Sequence, residues 1–80
     1  MVDVLASSRV MDTIQDILAR NLRLARQRAG VSQEELADRA GVDRTYVSGI
    51  ERGLRNPTIG IVARLAVVLG TTAAELLGGR

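Results

Sequence analysis

The 80-residue chain contains no cysteine, histidine, lysine, tryptophan or phenylalanine, and only one tyrosine and one proline. Without cysteine, disulfides and thiolate metal sites are excluded, and without histidine the commonest metal ligand and general base is missing as well. No Gly-rich phosphate loop and no paired carboxylates in a plausible cleft replace them, so neither an enzyme nor a metal- or cofactor-binding protein is expected. No stretch approaches the uninterrupted apolar run of about 20 residues that a membrane helix needs. Residues 1–11 lack the charged start and long apolar block of a secretion signal, so cytoplasmic residence without a membrane partner is expected.

What the chain does have is arginine. All 11 basic residues are Arg, set against 9 acidic ones, which gives a formal net charge of only +2 beside a pI near 10.4. The two values agree once it is seen that arginine keeps its charge to very high pH. The planar guanidinium fork suits phosphate and guanine edges. A GC-rich genome produces the same bias, so where the arginines fall carries more than their number.

A chain this short supports one domain, near the low end of what folds alone, and its core must be well patterned. Apolar residues recur at helical spacing. Ile14, Leu18, Leu22 and Ala25 lie on one face of a first helix that Gly30 stops. Ser32 opens a second, with Glu35 three residues on in the capping-box arrangement and Leu36, Ala37 and Ala40 inward. Gly41 breaks it, and Asp43 is placed to cap a third helix with Val47 and Ile50 inward and Gly53 at its end. A fourth follows Asn56-Pro57, capped by Thr58, with Ile59, Val62, Leu65, Ala66 and Leu69 inward. A short fifth, capped by Thr71 or Thr72, carries Leu76 and Leu77. The expected fold is all-α, a compact bundle of about five short helices with turns of ordinary length.

The stretch GVDRTYVSGIERG, Gly41 to Gly53, carries small hydroxyls and forked arginines where a surface helix usually mixes acids and bases. Two short helices joined by a tight glycine-containing turn make a helix-turn-helix, whose second helix presents its N-terminal residues to the major groove. With Val47 and Ile50 inward, Arg44, Thr45, Ser48 and Gly49 lie on the outward arc. Arg44 can donate bidentately to guanine, Thr45 can meet a thymine methyl, and Ser48 can bond to either kind of edge. Gly49 costs about 1 kcal/mol of helix propensity relative to alanine, which is intelligible if the backbone must approach the groove closely.

The run LRLARQRAGVSQEELADRAGVDRTYVSGIERGLRNPTIGIVARLAVVLG resembles the lambdoid repressor and Cro-like helix-turn-helix family, also called the XRE family, over residues 18–77. The resemblance implies a lambda-repressor-like DNA-binding domain over residues 12–80 in a bacterial or phage protein. It implies that Gln33 contacts the DNA backbone and braces the recognition helix, that Arg44, Thr45, Ser48 and Gly49 read bases, and that Arg52 and Asn56 contact phosphates. It also implies a partly buried ion pair between Arg26 and Glu51. The segment DRTYVSGIERGLRNPT is similar to one subgroup, the controller proteins of restriction–modification systems. These are homodimers that bind upstream of their own gene and regulate it together with the endonuclease gene. In that subgroup Tyr46 would also reach the DNA.

A unit this small covers about one half-site, so a dimer on a pseudo-palindromic double-stranded operator is expected, its recognition helices about 34 Å apart. Ile61, Val67, Val68 and Leu77 are the candidate dimer interface, with packing against the N-terminal segment as the competing reading of those residues. RNA polymerase is a further candidate partner. Residues 1–11 form an N-terminal extension compatible with a disordered arm, an extra turn of helix or a translation-start assignment. With no room after residue 77 for an effector-binding domain, control by protein concentration through dimerisation and cooperative binding is expected. The alternatives are an antitoxin, which would usually carry an added toxin-binding tail, and a phage-type repressor on the same fold.

Overall fold

The structure, a computed structural model, describes residues 13–78, so the N-terminal extension expected over residues 1–11 lies outside the described residues. Five helices are present among them and no strand: α1 Ile14–Ala29, α2 Gln33–Ala40, α3 Arg44–Glu51, α4 Ile59–Leu69 and α5 Ala73–Leu76. Helix α3 packs on both α1 and α2, α4 packs on α2, and α5 closes the bundle against α1 and α4.

Hydroxyl caps start four of the five helices, each contributing about 1 kcal/mol. Thr13 and Asp16 form a reciprocal capping box at the start of α1, at the three-residue spacing of that motif, although the sequence reading named no cap there. The box expected at Ser32 is half made: its hydroxyl accepts from the Glu35 amide at 2.9 Å, while the Glu35 carboxylate pairs with Arg39 one turn later at 2.6 Å. Thr58 accepts from the Ile61 amide, and Thr72 rather than Thr71 accepts from the Glu75 amide. Asp43 occupies the N-cap position of α3 with extended backbone, but its side chain makes no capping hydrogen bond.

The core is built from Leu18, Leu22, Leu36, Ala37, Ala40, Val47, Ile50, Val62, Leu65, Ala66 and Leu76, all buried. Full burial of each large aliphatic contributes about 1.5–3 kcal/mol. Ile14 and Ile59 were expected inward, yet they are 54% and 72% exposed. Each is the first residue of its helix, and its side chain lies past the end of the packed face. They line an apolar groove of about 220 Å³ together with Leu18, Pro57, Val62 and Leu77. Leu69 is half-buried against the core.

The turn between α2 and α3 depends on Gly41, whose φ of 73° lies in the left-handed region that favours glycine. The amide of Val42 returns to the carbonyl of Ala37 at 2.9 Å, which closes the end of α2 and points the chain into α3. From α4, the Arg64 guanidinium donates to the carbonyl of Ala40 from Nη2 at 3.0 Å and from Nε at 3.2 Å, and to that of Gly41 at 3.3 Å. A cation on the last carbonyls of a helix satisfies acceptors that have no intrahelical partner and complements the helix dipole.

Candidate nucleic-acid interface

Helix α3 is too short to be stable alone. Apolar packing by Val47 and Ile50 holds one side of it. Its C-terminal residue, Glu51, is 4% exposed and is the only buried charged residue among those described. Arg26 of α1 meets that carboxylate in a bidentate fork, Nε to Oε2 at 2.6 Å and Nη2 to Oε1 at 3.0 Å. Gln33, first residue of α2, donates from Nε2 to Oε1 at 3.0 Å. Arg23 donates from Nη1 to the Glu51 main-chain carbonyl at 3.1 Å, and Arg26 Nη1 reaches the carbonyl of Val31. One carboxylate thus ties α1, α2 and α3 together. The hydrogen bond to Glu51 holds Arg26 above its ordinary pKa against the opposing cost of burial, with Coulombic attraction adding to it.

Anchoring α3 in this way decides which side it shows to solvent. Arg44, Thr45 and Arg52 are exposed and Ser48 is half-buried. At 100° per residue these four share an arc of about one quarter turn on the side opposite Ile50. Arg44 also lines an open depression with Arg26, Ser32, Gln33 and Glu34, which joins the start of α3 to the start of α2. Asn56 is exposed in the loop after α3, and Tyr46 is half-buried on the flank of the helix.

One residue of the expected reading face is placed differently. Gly49 is buried. A Cβ there would lie 2.6 Å from Cγ of Arg55, so the side chain of Arg55 covers the position. The guanidinium of Arg55 continues over the ring of Tyr46, 5.6 Å from its centroid.

Residues 22–76 match the family model for the HTH_3 helix-turn-helix. The chain belongs to this family of XRE-like, DNA-binding transcription regulators. A hypothetical transcription factor from Neisseria meningitidis is 45% identical over 64 residues, covering 80% of this chain and 60% of the relative. This chain therefore spans somewhat more than half the length of that relative. The control protein C.SmaI of Serratia marcescens is 42% identical over 64 residues, covering 80% of this chain and 76% of C.SmaI. Among solved structures, the restriction–modification controller protein C.AhdI of Aeromonas hydrophila superposes with a TM-score of 0.74 at 40% identity, covering 78% of this chain and 94% of that one.

Several residues of the site escaped sequence reading. Arg64 is the single charged residue in the apolar helix IGIVARLAVVL, and that isolation was a usable signal. Arg23 and Gln15 cross-link the bundle to Glu51 and to the Arg55 carbonyl, which periodicity alone does not reveal. The candidate dimer residues divide. Val67 is 77% exposed, whereas Ile61, Val68 and Leu77 are half-buried against the core. The outward arc of α4 is formed by Ile59, Gly60, Ala63 and Val67 together with Arg64.

Proposed function

We propose that this chain is a sequence-specific, double-stranded DNA-binding regulator that acts as a homodimer and controls its own gene, as a controller protein of a restriction–modification system. The observation that carries the reading is the outward arc of exposed Arg44, Thr45 and Arg52 with half-buried Ser48 between them, on a helix locked by the buried Glu51 carboxylate. A rigid helix presenting a forked cation and small hydroxyls has the chemistry of major-groove readout: Arg44 toward guanine, Thr45 and Ser48 toward neighbouring edges. Arg52 and Asn56 then serve the phosphates that set register, and Gln33 serves both the backbone and Glu51. Likeness to C.SmaI and C.AhdI supports the controller role. Among the described residues no helix is long and apolar enough to cross a membrane.

The dimer contact in this reading lies on the outward arc of α4, around Ile59 and Val67, and extends into the groove lined by Ile14 and Leu77. A helix that is apolar nearly all round is normally covered on every side. Ile61 and Val68, already packed on the core, contribute from behind.

Footprinting the purified protein on DNA immediately upstream of its own gene tests the proposal. Protection of paired, roughly palindromic half-sites is the expected result. A folded protein that protects nothing there would instead favour a regulator of distant genes or a module that holds a protein partner.

A further inference from the structure

Arg64 is the one charged residue of α4 and lies three positions before the exposed Val67 on the same side of that helix. Its stem therefore starts at the edge of the arc assigned above to the dimer contact, and its guanidinium ends on the corner between α2 and α3. There Nη2 and Nε donate to the Ala40 carbonyl at 3.0 and 3.2 Å, and Nη2 donates to the Gly41 carbonyl at 3.3 Å. A Cβ on Gly41 would stand 3.1 Å from the same Nη2, so the guanidinium is seated directly against the backbone of the turn.

That corner carries the end of α3 where Arg44 and Thr45 stand. The far end of the helix is held by the Glu51 carboxylate, which Arg26 of α1 and Gln33 of α2 both grip. The near end has less support of its own. Asp43 makes no side-chain capping bond, which leaves the Val42 amide on the Ala37 carbonyl and the packing of Val42 and Tyr46 against the core. Helix α3 packs on α1 and α2, whereas α4 packs on α2. The route from the outward arc of α4 to the start of α3 thus runs through the last turn of α2. Among the described residues, Arg64 makes the only hydrogen bonds between α4 and α2, and it makes them at that turn.

We propose that Arg64 is a positioning residue of DNA recognition: by bracing α4 against the corner between α2 and α3, it fixes how the two reading helices of a dimer are set about the two-fold axis, and so which half-site spacing the dimer accepts. The inference rests on the homodimeric DNA-binding reading above. Arg44 reads bases in that reading, and Arg64 aims the helix that carries it. Two reading helices on one dimer act as a bivalent unit, and the gain over a single half-site, about 10²–10⁴-fold, is realised only when both engage together. One base pair added between half-sites moves the second by about 3.4 Å and turns it by about 35°. A stiff frame rejects that change and a loose one accommodates it.

The test titrates the full chain against three duplexes: the footprinted operator, the same operator with one base pair inserted between its half-sites, and a single half-site. Circular dichroism fixes a temperature at which every variant is folded, and sedimentation follows assembly. Wild type should strongly prefer the operator to the inserted duplex. Arg64→Ala should still sediment as a dimer and leave half-site affinity nearly unchanged, yet bind the operator about tenfold more weakly and lose most of the preference for its spacing. Arg64→Lys should restore that preference, because an ammonium can donate to both carbonyls. A spacing preference that survives in Arg64→Ala would overturn the proposal. Equal weakening on operator and half-site would also overturn it, leaving Arg64 as a stabiliser of the fold alone, and loss of the dimer in Arg64→Ala would overturn it in favour of a plain interface contact. A wild-type chain that is monomeric or binds no duplex removes the reading beneath the proposal and the proposal with it, and that failure is read on the wild type before any variant is made.

Discussion

Arg26 and Glu51 meet in a two-bond fork across the contact between the first and third helices, with Nε to Oε2 at 2.6 Å and Nη2 to Oε1 at 3.0 Å. The carboxylate is almost wholly buried and the arginine largely so. Removing one partner of such a pair strands a charge out of reach of water, which typically costs about 3–5 kcal/mol. Arg26→Ala should therefore lower the urea midpoint sharply and abolish operator binding at temperatures where the wild type is folded. Glu51→Gln should be milder, because a neutral amide can still accept from Arg26 and Gln33. Equal stability of Arg26→Ala and wild type would show that the pair does not hold α3. Because binding to Glu51 raises the pKa of Arg26, its contribution is fully present below the ordinary arginine range and is lost only as pH climbs beyond it. Stability measured between neutral and mildly alkaline pH should not change on its account.

Arg64 gives a second test, at a distance from the reading face. Its guanidinium holds the carbonyls of Ala40 and Gly41 at the corner between α2 and α3. Hydrogen bonds to a charged group contribute about 1.5–3 kcal/mol, and solvent around this exposed side chain argues for the lower part of that range. Arg64→Ala should reduce thermal stability by that order, and amide hydrogen exchange should rise first at the end of α2.

The sequence made the helices and most of the core legible because both follow from short-range rules. Leu36, Ala37 and Ala40 in α2, Val47 and Ile50 in α3, and Val62, Leu65 and Ala66 in α4 repeat at helical spacing, and each proves buried. The same rule placed Ile14 and Ile59 inward. It failed there because spacing specifies a face and not whether a neighbouring element reaches that end of the helix. Asp43 has the right residue type and backbone for a cap, yet its side chain makes no capping bond. Gly49 is the most instructive case, since periodicity placed it outward and nothing local announces that Arg55, six residues later, folds back across it. Packing of that kind depends on the path of a loop, and residue spacing does not encode that path. The Arg26–Glu51 pair spans 25 residues and was accessible only through family resemblance.

The apolar outward arc of α4 predicts a concentration-dependent assembly. Val67→Lys and Ile59→Lys place a charge on exposed positions without disturbing the core, and each should shift sedimentation from dimer toward monomer at micromolar concentration. The helical circular dichroism of the monomer should be retained. A wild-type chain that is monomeric under those conditions would remove the proposed interface.

The central claim is that α3 reads base sequence through Arg44 while Arg52 reads the phosphate backbone, and the most direct measurement is binding anisotropy across a salt series. It should be made with wild type, Arg44→Ala and Arg52→Ala, on the footprinted duplex and a scrambled duplex of equal length. Arg44→Ala should lose about 1–3 kcal/mol on the operator and little on the scrambled duplex. Arg52→Ala should weaken both duplexes alike and flatten the logarithmic salt slope by about 0.9 for each phosphate that is no longer neutralised. Equal loss on operator and scrambled DNA in Arg44→Ala would contradict the account, for it would make Arg44 one more phosphate-neutralising charge and leave the recognition helix without its reader.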